Sequence, residues 1–283
     1  MNIFHGKVGG LFLAVLTVCT IGAFNSNAQT ITTVNNTNTQ NSLLAKKKIK
    51  PIRTELSVGI RLNTDGWSVF ADKGWVKGAG RKRDLFYDVN VFQVELGEHK
   101  HVKEIKRTNN LGTFTSEAAK PFIFGKLNNF YNLKLGYGKR KMLAGKPVLG
   151  AVAIHWVYLG GITVGFLKPY YIEAYVDKDQ TGVFTQEAIK YEESTKEVFL
   201  SRPNIIGSAG FSKGIGETKI VPGAHAKTAL HFDFAGTRKM KLAIETGINA
   251  EIYTSSIPLM ANQKEVPYFV NMYVALQFGK RWP

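Results

Sequence analysis

Cysteine is nearly absent: the 283 residues hold one, Cys19. It lies inside "LFLAVLTVCTIGAF" (Leu11–Phe24), an apolar run preceded by Lys7 and followed by the small residues of "SNA" (Ser26 to Ala28). This pattern reads as an export signal over residues 1–28, cut before Gln29, because the run is too short to cross a bilayer comfortably. A lipid anchor on Cys19 would need a small residue before it, and Val18 stands there. Cleavage leaves a chain without cysteine, which excludes a disulfide framework and a thiolate metal site. Long apolar runs are also lacking. Beyond the signal no stretch of 18 apolar residues occurs, so helical membrane spans are excluded, and only a closed barrel could cross a membrane. Acidic residues are few: 21 Asp and Glu face 37 Lys and Arg, a formal net charge of +16. Losing Lys7 with the signal reduces this by one. Such an excess suits nucleic acid, an acidic surface or anionic headgroups. Export and the lack of basic-aromatic RNA-binding motifs leave no nucleic acid as partner. No cofactor motif occurs.

What the sequence does have is alternation. Residues 29–53 are Thr- and Asn-rich and then basic ("TITTVNNTNTQNSLLAKKKIK"), a flexible tail. From Thr54 to the end, segments of period two recur, and a period of two is a β-strand. "TELSVGIRLN" sets Leu56, Val58, Ile60 and Leu62 against Glu55, Ser57, Gly59, Arg61 and Asn63. "NTDG" is a hairpin signal, and Trp67 to Gly78 forms the return strand. Asp84 to Leu96 is a third strand whose phase slips near Val91 and Phe92, which predicts a bulge or a rim bend. "NFYNLKLGYG" is the fourth, Val148 to Phe166 the fifth, Ala224 to Phe234 the sixth, and Lys239 to Tyr253 the seventh. "YFVNMYVALQFGKRW" (Tyr268 to Trp282) is the eighth, with Val270, Met272, Val274, Leu276 and Phe278 on one face. The reading is all-β: about eight antiparallel strands over residues 54–283, or ten if the long fifth segment splits or residues 97–128 add strands.

The connections alternate in length. The second, fourth and sixth are short: "AGRKR", "KRKMLAGKP" and "AGTRK". The third, fifth and seventh (97–128, 168–223 and 254–267) are long, and only the first hairpin on that side is tight. Outer-membrane barrels have this asymmetry, with short periplasmic turns and long external loops. The short turns are all basic, which suits solvated turns or contact with anionic headgroups. Trp67, Trp75, Tyr137, Tyr158, Tyr268 and Trp282 fall at or near strand ends, where interfacial girdles belong.

The export signal, the alternating segments and the closing "QFGKRW" together resemble a small bacterial outer-membrane β-barrel. In such barrels the last strand carries an assembly signal of alternate apolar residues ending on an aromatic. Here Lys280 breaks the apolar parity and Pro283 follows Trp282. The resemblance implies the cell outer membrane as location, with membrane lipid and the barrel-assembly machinery as partners. It carries no motif for a particular activity.

If the apolar parity faces lipid, the lumen receives Glu55, Arg61, Lys134, His155, Lys227, His231, Asp233, Lys241, Glu245 and Glu251. Eight strands leave room only for side chains, so these charges must interlock as salt bridges and act as the core. Inward glycines (Gly59, Gly136, Gly247, Gly279) make room for them. The expected role is structural, adhesive or accessory to an outer-membrane complex, without catalysis. Three other readings stay open: a lipid-modifying enzyme, a narrow porin or transport channel, and a soluble lipocalin-like ligand-binding barrel with the apolar face inward. The enzyme would draw on His155, His225, His231 and Asp233, but no G-x-S-x-G or matching serine accompanies them. "EHKH" (Glu98–His101) reads as solvated rather than as a metal site, and "GSAGFSKGIG" (Gly207–Gly216) lacks the strand-to-helix setting of a phosphate cradle. The 168–223 loop, with a short helix expected within Thr185–Phe199, is either a surface for an external ligand or protein, or a lid on the barrel mouth.

Overall fold

A computed structural model describes residues 52–77, 88–109, 120–145, 151–177, 182, 184–234 and 239–283. The expected export signal, most of the expected tail and most of the short basic turns lie outside the described residues. Eight long strands make a closed antiparallel barrel: β1 (Thr54–Asn63), β2 (Gly66–Lys77), β3 (Asp88–His99), β6 (Asn128–Ala144), β7 (Ala153–Pro169), β11 (Lys219–Asp233), β12 (Met240–Ile257) and β13 (Val266–Trp282). Each pairs with its neighbour in this order, and β1 closes on β13, from Thr54 opposite Trp282 to Asn63 opposite Tyr273. The remaining strands are short. β4 (Lys106–Arg107) pairs with β5 (Phe122–Ile123), and β10 (Ile205–Ser208), β8 (Ile172–Val176) and β9 (Thr185–Ile189) form a three-stranded sheet in that order. No helix among the described residues is long and apolar enough to cross a membrane.

The expected eight strands are present, the ten-strand alternative falls away, and two further expectations need correction. The fifth segment is one unbroken strand paired on both edges, so the barrel has eight strands and not ten. β3 has no bulge: its register with β2 runs evenly from Asp88 to His99, and its odd residues all point inward. The apparent slip arises because the inward positions at one end are apolar, Val89 and Val91, and further along are polar, Gln93 and Glu95. The helix expected within Thr185–Phe199 shrinks to one turn, α1 (Lys196–Phe199), because Thr185–Ile189 pairs with β8 instead.

The barrel is inside out relative to a soluble protein. Val58, Ile60, Leu62, Ile162, Ile252, Val270 and Met272 lie 57–64 % exposed on the outer wall, whereas Glu55, Arg61, Lys241 and Glu245 are each 1 % exposed inside. A soluble lipocalin-like barrel requires the opposite polarity, so that reading is overturned. A continuous outward apolar band is stable only in hydrocarbon, and the closed sheet leaves no unpaired strand edge there. The chain is an outer-membrane β-barrel. Tryptophans mark both rims: Trp75 and Trp282 flank Thr54 at one end, and Trp67 and Tyr268 lie near the other, all exposed outward.

Strand length positions the external part. About ten residues cross the hydrocarbon; β1 has 10, but β6, β7 and β13 have 17 and β12 has 18. The outward residues at the far end of β12 turn polar (Thr254, Ser256), as a strand leaving lipid should. On this taller wall sits a cap with its own apolar core: Phe122, Ile172, Ala174, Ile189, Phe199 and Ile205.

Candidate functional site

Inside the barrel, alternation turns every second side chain inward, and the polar ones among them interlock in layers. Near the rim that holds Thr54, Glu55 accepts from Arg140, from Lys241 Nζ at 2.9 Å and from Arg281 Nε at 3.2 Å, while Arg281 also pairs with Asp233. Arg140 lies 3.5 Å from Asp72, which accepts from Gln93 at 2.5 Å and Gln277 at 2.6 Å. In the middle, Arg61 pairs with Glu95 and rests 4.3 Å from the Tyr273 ring centroid. Glu245 accepts from Lys227 at 3.0 Å and from the Tyr273 hydroxyl at 2.8 Å, with His231 Nδ1 at 3.2 Å. Toward the opposite end Lys134 bridges Glu95 (3.0 Å) and Glu251 (2.6 Å), and Glu251 also accepts from Asn132, Asn249 and Tyr253.

The structure therefore places all ten lumen residues named from the sequence in the interior, and it adds others that the sequence reading missed. Asp72, Glu95, Arg140 and Arg281 complete the ion pairs. Six cations (Arg61, Lys134, Arg140, Lys227, Lys241, Arg281) thus face six carboxylates (Glu55, Asp72, Glu95, Asp233, Glu245, Glu251) among the described lumen residues. Two inward glycines are required by their neighbours: a Cβ at Gly59 would lie 2.5 Å from the Phe70 ring, and one at Gly136 would lie 2.9 Å from His225 Nε2. Above the ions, Phe130, Leu167, Val221, Tyr253, Ile257 and Leu259 form an apolar plug, with His99 stacked 4.6 Å from Phe269. Charge below and hydrocarbon above leave the lumen filled.

The catalytic candidates do not assemble into a site that lipid can reach. His155 and His231 meet ring to ring at 6.0 Å, and Asp233 is taken by Arg281; all three are at most 1 % exposed. His225 Nδ1 lies 3.0 Å from Thr163 Oγ1, also in the interior. The two histidines of "EHKH" diverge: His99 is buried with its Nδ1 2.6 Å from an Asp65 carboxylate oxygen, so it is not solvated as expected, whereas His101 accepts from the Lys103 amide. Among the described residues no group of three potential ligands could hold a metal ion.

Outside the barrel the cap encloses a cleft of about 650 Å³. Its walls come from the residues after β3, from Pro121 to Lys126, from the end of β7, and from the glycine-rich loop after β10. Lys100, Lys106, Lys126, Lys168 and Lys213 line it, with Glu98 and Glu104. Lys126 lies 2.6 Å from Glu104 and Lys100 3.2 Å from Glu98. Lys168 donates to the Phe211 carbonyl and stands 4.0 Å over the Phe211 ring. Tyr170 and Tyr171 complete the lining. Burial raises the Tyr170 phenol above its ordinary value, and the hydrogen bond that Tyr171 donates to Glu217 at 2.5 Å raises that one, so both stay protonated at neutral pH. Lys190 also donates to Glu217, and these bonds hold its ammonium above the ordinary lysine range and the carboxylate below the usual one. The cleft was not legible in the sequence, since its lysines come from four separate segments.

No protein-family model and no curated protein matches the sequence. Among solved structures, the attachment invasion locus protein Ail of Yersinia pestis is 7 % identical, with 83 % of this chain and all of that chain covered and a TM-score of 0.35. The N-terminal β-barrel domain of Pseudomonas aeruginosa OprF is 8 % identical over 83 % of this chain and all of that one, at a TM-score of 0.31. A major outer membrane protein of Thermus thermophilus is 9 % identical over 81 % of this chain and 98 % of that one, at 0.33. These overlays are loose, and the assignment to the outer membrane rests on the polarity of the barrel itself.

Proposed function

We propose that the protein is a non-conducting outer-membrane barrel whose task is carried by its external cap, as an adhesive or complex-accessory surface. The observation that carries this reading is the filled lumen: six cations on six carboxylates, sealed by an aromatic plug. A transport channel needs a continuous polar path, and an enzyme needs a nucleophile or acid–base pair within reach of its substrate. Neither requirement fits groups at most a few per cent exposed. The cap, by contrast, is folded around its own core and presents a cleft to the exterior. Folded external loops on a rigid scaffold are where barrels of this kind make contacts.

The test has two arms. The purified chain reconstituted in planar bilayers is expected to give no steady conductance above the lipid background. Gram-negative cells displaying the full chain are expected to attach to surfaces or to one another, and to lose that attachment when residues 172–217 are replaced by a short Gly-Ser turn that leaves the barrel heat-modifiable on gels. A stable ohmic conductance, or attachment that survives loss of the cap, contradicts the reading.

A further inference from the structure

We propose that the cap cleft is a binding site for an anionic carbohydrate, a sugar carrying phosphate, sulfate or carboxylate groups. This rests on the reading of the cap as a contact surface and names what it contacts. The first support is charge. The described lumen ions balance, so the basic excess of the chain lies outside the lumen. Five lysines of that remainder line this single cleft against two glutamates. Glu98 and Glu104 are engaged by Lys100 and Lys126. Among the described residues no carboxylate lies within ion-pair distance of Lys106, Lys168 or Lys213.

The second support is burial. Lys168 is only 5 % exposed, and its ammonium meets a neutral carbonyl and a ring face. A part-buried cation that faces only a carbonyl and a ring is under-compensated, and an anionic ligand would supply the missing charge. The donors are lysines and not arginines, compact point charges that suit phosphate or sulfate oxygens in any orientation. The third support is shape. A volume of about 650 Å³ lies in the ordinary range for small-ligand sites. Phe211, 68 % exposed at the cleft, offers an apolar ring beside the cations against which the C–H face of a sugar can pack. Gly210 adopts φ +87°, a left-handed conformation that favours glycine, at the start of the loop that carries Phe211 and Lys213 to the cleft. Its root is fixed by the Ala209 amide donating to the Tyr171 carbonyl at 3.1 Å.

The source of the sugar is either the lipopolysaccharide of the same leaflet or a free or foreign glycan, and the experiment separates them. The full chain in neutral detergent is titrated calorimetrically with inositol hexakisphosphate, with a fully sulfated disaccharide and with the unsulfated disaccharide. In a second arm, chain in nanodiscs is titrated with lipopolysaccharide and with its dephosphorylated form. Saturable binding of at least one charged probe, weakening as salt rises, with no binding of the neutral sugar, is expected. The K106Q/K168Q/K213Q variant is expected to bind at least tenfold more weakly with unchanged heat-modifiable mobility, while K73Q/K280Q, altered at the opposite rim, binds as before. Preference for intact lipopolysaccharide over both soluble probes assigns the site to the outer leaflet, and the reverse assigns it to a free glycan. Should the triple variant not fold, K213Q and Phe211→Ala, both at the exposed loop, replace it with an expected loss of a few-fold. Absence of saturable binding by every charged probe, or equal binding by the folded cleft variants, overturns the proposal. Attachment that persists in cap-bearing cells despite such a result leaves the adhesive reading standing while removing this one.

Discussion

At the scale of single residues, Glu55 shows what the barrel depends on. It is 1 % exposed and answers three cations that come from three different strands, Arg140, Lys241 and Arg281. Removing one member of a buried ion cluster leaves the others uncompensated, at about 3–5 kcal/mol. Glu55→Gln is therefore expected to lower the stability of the folded barrel by that amount, read as a lower urea midpoint in detergent with an unchanged slope. A variant as stable as the parent would show that the cluster is not held as a unit. The inward direction of Glu55 and Lys241 follows from parity alone, because their strands alternate cleanly. Asp72 and Glu95 were harder to read: β2 mixes lysine into its outward face, and β3 places valines on the inward one. Arg140 escaped because its strand runs to Ala144, six residues beyond the expected end at Gly138.

At the scale of the element, each strand has two faces that obey opposite rules. Val274 faces outward midway along β13, opposite Leu62 of β1 and Thr246 of β12. Val274→Lys is expected to cost about 2–4 kcal/mol, the penalty for a cation near the bilayer midplane. Thr254→Lys, near the external end of β12, is expected to cost only about 0–1 kcal/mol. Unfolding titrations in lipid vesicles measure both, and equal costs would mean that hydrocarbon does not cover β13. The short elements of the cap were illegible for the opposite reason. β8 and β9 have five residues each, too few to establish a period, and Thr185–Ile189 becomes a strand only because Ile172–Val176 lies beside it.

At the scale of the whole molecule, the fold separates its charges. Those described inside balance, and the basic excess lies outside the lumen, most of it exposed. Screening acts on exposed charges and hardly on buried pairs. Raising the salt concentration is thus expected to leave the thermal midpoint of the barrel nearly unchanged while loosening whatever anion the cap holds. A calorimetric scan across a salt series checks the first half, and a steep fall of the midpoint with salt would place water among the lumen ions. Strand number, hairpin order and the side that bears long connections were all legible from alternation and loop length. The cap cleft was not, because contacts between distant loops leave no periodic trace.

The closing pair of strands has a kinetic consequence. Thr54 and Trp282 are joined across 228 positions of chain, whereas β1–β2 and β12–β13 need only local turns. Contacts so distant carry the greatest loop-closure entropy and form late. Glu55 gains Arg281 only when that seam zips, so completing its set of counter-charges and sealing the wall are the same event, and a half-assembled barrel holds the two apart, which favours completion.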